Sequence, residues 1–258
     1  MRSEDYKFLY ELEDRFWWFV GMRDVAAALL DPFCSPASEI RTVLDAGCGT
    51  GGNLSWLRRY AVAENIVGID LSQHALDFCR AGQFRFLARA SVTRLPFDSC
   101  QFDLVTSFEV LTQLPRVEDV ERALSEMYRV MRPGGVAFIR VPAYQWMHSE
   151  HDEELATMRR YYLASLLDLT TQAGFHTLRA TYANTTLLPV AAIRRLVLKR
   201  LGLARRGADV QPLSPRLQWL NRILAAVLRS EARWLKKPGA TLRLGLSAIC
   251  IVAKPHDH

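Results

Sequence analysis

The apolar run Thr42-Val43-Leu44 ends in Asp45 and opens at once into Gly47-Cys48-Gly49-Thr50-Gly51-Gly52. Nineteen residues beyond Gly51 a second apolar run, Ile66-Val67-Gly68-Ile69, ends in Asp70. A chain that turns sharply from strand into helix, with its backbone close to a ligand, needs residues without Cβ. The helix that follows offers free N–H groups and a positive dipole end. An acid at the tip of the next strand can accept both hydroxyls of a ribose. The two stretches describe a nucleotide-type cofactor held at the carboxyl ends of two parallel strands.

The glycines alone leave the cofactor open. Gly47, Gly49 and Gly52 satisfy G-x-G-x-x-G, the dinucleotide fingerprint, and Asp70 suits NAD. Asp45, Gly47, Gly49 and Gly51 satisfy D-x-G-x-G-x-G equally well. S-adenosylmethionine has no phosphate, but its carboxylate can use the same N–H donors. A second group, Tyr144, His148, Glu150, His151 and Asp152, has acid–base capacity. Its histidines are three apart, which is no recognised metal-ligand spacing, and no metal is expected. Its plainer reading is a solvated helix start with Ser149 as N-cap.

Positioning these groups requires alternating strands and helices. Patterning predicts an amino-terminal helix over 4–31, stopped at Asp31-Pro32. It predicts strands near 41–46, 65–70, 84–89, 102–108, 135–141, 175–183 and 244–253. Helices are predicted near 53–61, 72–81, 118–131 and 155–173. Such alternation implies a parallel sheet covered on both faces, with ligands at the carboxyl ends of the strands. Residues 185–240 interrupt the last hairpin with two basic amphipathic helices, Leu187–Leu201 and Asn221–Lys237. These fit a cap or dimer face, or an anionic lipid surface.

Composition sets bounds. Half of the 258 residues are hydrophobic, enough for a substantial core, and the formal net charge is +6. That charge, without a recognised motif, argues against nucleic acid. The five cysteines never form C-x-x-C, which argues against a disulfide framework and favours a reducing compartment. The charged amino terminus lacks the apolar run of a signal peptide, and no apolar stretch reaches the ~20 residues that span a bilayer. A cytoplasmic protein, with membrane association open, is expected.

Met131-Arg132-Pro133-Gly134-Gly135 ends a helix and turns the chain into the strand Val136-Ala137-Phe138-Ile139. Leu95-Pro96-Phe97-Asp98 leads to Phe102-Asp103-Leu104-Val105. Together with D-x-G-x-G-x-G, these segments resemble class I S-adenosylmethionine-dependent methyltransferases over roughly residues 41–184 and the final strand. Nicotinamide dehydrogenases have no reason to show them at these distances. Tyr10-Glu11-Leu12-Glu13-Asp14-Arg15-Phe16-Trp17-Trp18-Phe19, Ser149–Glu153 and Arg159-Arg160-Tyr161 resemble the bacterial type 11 methyltransferase-domain subgroup.

The resemblance implies a Rossmann-like α/β fold with seven strands, mostly parallel, the last antiparallel. It divides the chain into a helical lid (1–34), a cofactor-binding core (35–184), a helical insertion (185–240) and a last strand with tail (241–258). It places Asp45, Gly47, Gly49 and Gly51 at the methionine end of S-adenosylmethionine, Asp70 on the ribose and Leu71 on the adenine. Cys48 lies in the same loop as a small packing residue. Ser91 stands where the family usually has an acid for the adenine amino group, and Val92 N–H can meet a ring nitrogen. Phe108 and Gln113 complete the expected cofactor site. Gln113 replaces a histidine that acts as base in some relatives, and cannot itself take a proton.

The base, where the acceptor needs one, is then His148, His151 or Tyr144. Trp17, Trp18, Tyr144, Arg160 and Tyr161 are expected to meet the acceptor. Methyl transfer to a small molecule of natural-product, lipid or glycolipid type is the expected activity. One alternative keeps the cofactor but runs a non-methylating reaction, such as cyclisation of the cofactor itself. Another is a non-catalytic binding or membrane-surface protein, with residues 187–237 against lipid. A homodimer is open.

Overall fold

The computed structural model describes residues 3–34, 41–148, 152, 157–193 and 218–256. Seven strands form one sheet: β1 (Val43–Ala46), β2 (Ile66–Asp70), β3 (Leu87–Arg89), β4 (Phe102–Phe108), β5 (Met131–Pro142), β6 (His176–Ala183) and β7 (Ser247–Ala253). Their order is β3-β2-β1-β4-β5-β7-β6. The pairings from β3 through β5 are parallel, and β7 runs antiparallel between β5 and β6. All four residues of β1 are buried, Asp45 among them, as the central strand of a covered sheet should be. The strand order reverses between β1 and β4, which opens a crevice beyond their carboxyl ends.

Helices α1 (Ser3–Leu12), α2 (Trp17–Leu30), α3 (Gly52–Leu57), α4 (Gln73–Ala81), α5 (Val117–Val130), α6 (Leu163–Gln172) and α7 (Gln218–Leu235) cover it. One core layer joins α2, α3 and α7 to the sheet through Met22, Leu54, Leu228 and Phe138. The other joins α5 and α6 through Leu124, Met127, Leu166 and Ile139. Ser72 caps α4, its hydroxyl accepting from Ala75 N.

Four expectations change. The amino-terminal helix is two helices, because Glu13–Phe16 leaves helical geometry to reach other parts of the molecule. Asn221 fixes the break: its side chain accepts from Trp17 N at 2.8 Å and donates to Arg15 O at 2.8 Å. The helix expected over 155–173 is described only from Leu163. Before it, Tyr161 is drawn into a parallel bridge with Ala143. Strand β5 starts at Met131, ahead of the Pro-Gly-Gly turn, and absorbs that turn as an irregularity in its register with β4. The first basic helix of the insertion runs beyond the described residues. The second, α7, is a core-flanking helix whose Leu228, Ala232 and Leu235 are buried with the sheet.

Candidate active site

Asp45 is the last polar residue of β1 before the glycines, and it is fully buried. Register places it opposite Thr106 of β4, whose hydroxyl donates to Asp45 Oδ1 at 2.8 Å. Asp45 Oδ2 has no partner. Burial pushes this carboxyl up to about 7, against the Thr106 hydrogen bond. A buried acceptor left open beside a glycine loop is a site for a donor that the protein does not supply.

The loop itself is shaped for approach. Gly47, Gly49 and Gly51 all have positive φ, and a Cβ on Gly49 would meet nothing within 4 Å. Asp70 at the end of β2 ties the loop down, accepting from Gly49 N at 3.0 Å and Ser72 N at 2.8 Å. Burial raises its pKa, with those N–H donors opposing. Two further donors of the loop meet a carboxylate from outside it. Glu13, from the break between α1 and α2, accepts from Thr50 Oγ1 at 2.6 Å and Gly52 N at 2.9 Å. Arg23 of α2 holds that break, donating to Glu13 O and Gly52 O.

Three carboxylates, Glu13, Asp45 and Asp70, therefore ring the glycine loop. Asp70 and Glu13 both act to raise Asp45's pKa. A dinucleotide would bring its anionic pyrophosphate against that ring of carboxylates. S-adenosylmethionine carries a sulfonium and an α-ammonium, the kind of charge such a ring attracts and the kind of donor that Asp45 Oδ2 lacks.

A family model described as a methyltransferase domain matches residues 44–139. A protein of Encephalitozoon cuniculi named as a methyltransferase is 34% identical over 159 residues, which is 53% of this chain and 70% of its own length. The chain belongs to the S-adenosylmethionine-dependent methyltransferase family. A Mycolicibacterium smegmatis protein named as S-adenosylmethionine-dependent is 30% identical over 138 residues, 52% of each chain. The Mycobacterium tuberculosis phthiotriol/phenolphthiotriol dimycocerosates methyltransferase is 34% identical over 99 residues, 37% of this chain and 35% of its own. The chain thus spans about half of the second relative's length and about a third of the third's. The seven-stranded mixed sheet is the class I methyltransferase fold, and S-adenosylmethionine is the family's cofactor.

Beside the glycine loop of this methyltransferase, the carboxyl ends of β4 and β5 meet α2. Phe108 packs edge-on to Trp56 of α3 and beside Phe138. The Arg140 guanidinium lies 4.9 Å from the Trp18 ring and 5.0 Å from that of Phe108. Its Nε donates to Glu109 Oε1 at 2.9 Å. Burial raises Glu109 and lowers Arg140, so desolvation of the pair outweighs the attraction between them. Glu109 nonetheless keeps 26% of its side chain exposed, and its φ is +60°. A non-glycine residue held there at a strand end is a mark of functional strain.

The expected acid–base residues stand elsewhere. Tyr144 is buried, stacked between Trp146 and Tyr182, and its hydroxyl accepts from Gly245 N. His148 Nε2 is 2.9 Å from Thr157 O and donates to it. His151 lies outside the described residues, as do Ser149, Glu150 and Glu153. Arg160 pairs with buried Asp152 at 2.7 Å and donates to Ala143 O. Tyr161 donates to Leu111 O, and burial pushes its phenol up to about 12. Tyr144, His148, Arg160 and Tyr161 thus brace the loop after β5, and of the expected bases His148, half-buried, keeps Nδ1 outside these bonds.

Among the cofactor residues, Leu71 is 67% exposed beside Asp70, an apolar surface ready for a ring. Ser91 turns inward on its own loop, bonded to Thr93, while Val92 is buried. Gln113 is exposed. Cys48 buries its thiol 3.9 Å from that of Cys79, leaving only its backbone to the cofactor. Trp17 and Trp18 are half-buried against the core, and only Trp18 meets the Arg140 pair. Sequence reasoning missed Glu13, Arg23, Thr106, Glu109 and Arg140. Only Thr106 carried a signal, since a buried acid in β1 needs a donor on a neighbouring strand.

Proposed function

We propose that the protein transfers the methyl group of S-adenosylmethionine to a bulky, largely apolar small molecule of natural-product, lipid or glycolipid type. The observation that carries this reading is the carboxylate ring around the glycine loop, adjoined by the aromatic wall of Trp18, Trp56 and Phe108. When bound, the cofactor supplies a methyl group made electrophilic by its sulfonium. Asp45 accepts from the ammonium, Asp70 from the ribose hydroxyls, and Gly49 lets the backbone close on the ligand. The aromatic wall excludes water and accepts an apolar acceptor. Much of the rate then comes from holding the reacting atoms in line. Where the acceptor must lose a proton, Glu109 is the partly exposed carboxylate placed to take it. The mycobacterial dimycocerosate methyltransferase among the relatives supports a lipid-like acceptor.

Calorimetric titration with S-adenosylmethionine and S-adenosylhomocysteine, beside Asp70→Ala, tests the site. Wild type is expected to bind both and the variant neither. A lipid extract incubated with methyl-labelled cofactor tests the reaction. Label should pass to the organic phase with release of S-adenosylhomocysteine. Release of methylthioadenosine would instead show the cofactor cyclising. A folded wild type that binds neither ligand would refute the reading altogether.

A further inference from the structure

Helix α7 has two faces of different kinds. Its inner face, with Ala225, Leu228, Ala232 and Leu235, is buried in the core. Its outer face has no partner among the described residues. Along one edge of that face run Arg222, Arg229 and Arg233, all exposed, continued by Lys236 and Lys237. Along the other stand Trp219, Ile223 and Trp234, which are 57%, 49% and 49% exposed.

The single acid of this segment is Glu231, and it points inward. Its carboxylate accepts from Asn184 N, Thr185 N, Thr186 N and the Thr186 hydroxyl. None of the five cations makes an ion pair among the described residues. The outer face therefore carries one sign of charge, with aromatic and aliphatic groups alongside.

We infer that the outer face of α7 docks this protein on an anionic lipid bilayer. Charge complementarity selects the occupant: Arg222, Arg229 and Arg233 on α7, with Lys236 and Lys237 just past its end, the latter 4.7 Å over the Trp234 ring, match a surface of anionic headgroups. The adjoining tryptophans and isoleucine select a bilayer over a nucleic acid, because a helix lying in the interface inserts such groups at headgroup depth. Docking would also reach the reaction end of the molecule. Asn221, on the same helix, holds Arg15 and Trp17 at the start of α2, and the next residue, Trp18, faces Arg140. An acceptor drawn from the bilayer would thus arrive beside the aromatic wall, although the docking itself does not depend on the identity of the acceptor.

The test is co-sedimentation of the full chain with phosphatidylcholine vesicles, with and without phosphatidylglycerol, at low and high salt. Wild type should bind the anionic vesicles, release with salt and leave neutral vesicles unbound. Each cation near an anionic surface contributes about fivefold in binding, so R222Q/R229Q/R233Q should bind about a hundredfold more weakly. That variant should keep its S-adenosylhomocysteine affinity, which reports its fold. Trp219→Ala should weaken what binding persists at high salt. Equal binding of the charge variant, equal binding to neutral vesicles, or no binding by a folded wild type would overturn the inference. So would displacement from anionic vesicles by duplex DNA at equal phosphate concentration.

Discussion

Asp45 makes cofactor binding a titration. Its carboxyl sits at about 7 because burial opposes its charge, with one oxygen open. The sign follows from the protonated form being the one that burial favours. Relative to an unfolded value of about 3.9, the raised group stabilises the ligand-free fold fully below that value. That contribution is lost as pH rises to about 7, leaving an ionised group under strain, which a bound ammonium relieves. S-adenosylhomocysteine affinity should hold steady above about pH 7 and fall below it, approaching tenfold per unit for one linked proton. Asp45→Asn should bind weakly with no such slope. Calorimetry across that range checks both, and a flat wild-type profile would remove Asp45 from the cofactor's contacts. Glu109 is tested separately. Once an acceptor that loses a proton is in hand, Glu109→Gln should keep cofactor affinity and lower turnover about a hundredfold or more. An unchanged turnover number would show that the carboxylate takes no proton.

At the scale of elements, the pairing of α2 with α7 turns on one glycine. A Cβ on Gly21 would stand 2.5 Å from Leu228 Cδ1 and 2.6 Å from its Cβ. Alanine in a helix interior gains about 1 kcal/mol over glycine, while overpacking a core costs about 1–3 kcal/mol. With backbone-proximal atoms of Leu228 in the way, the clash should win. Gly21→Ala is expected to lower the melting temperature, and Leu228→Ala should cost less in that background than in wild type. A melting temperature above wild type would mean that the helices part freely. The same pair shows what patterning misses. The heptad-like apolar stripe over residues 6–20 reads as one helix, because the cause of its break is remote. Glu13 leaves the helix for Thr50 and Gly52, 37 and 39 residues away. The glycine loop and Asp70 were legible for the opposite reason: their chemistry is written in consecutive residues and needs no distant partner.

Across the whole molecule, the same division holds. The antiparallel β7 came from the family resemblance. Strands and their parallel arrangement follow from apolar runs and punctuation, and these were readable. The loop after β5 was not. Tyr144, His148, Arg160 and Tyr161 look like free chemistry in sequence, yet each is bonded to a neighbouring backbone group, and His148 keeps only its Nδ1 outside such a bond. What cannot be read from types is whether a polar group already has a partner. The Asn221 clamp has a consequence for how the chain is made. Trp17 N and its acceptor are separated by 204 residues. During synthesis at about 5–20 residues per second, α2 waits on the order of 10–40 s for α7 to leave the ribosome. Until then its face around Met22 and Val25 has no covering helix. The nascent α2 thus exposes an apolar face through most of this interval, and the arrival of α7 is what covers it.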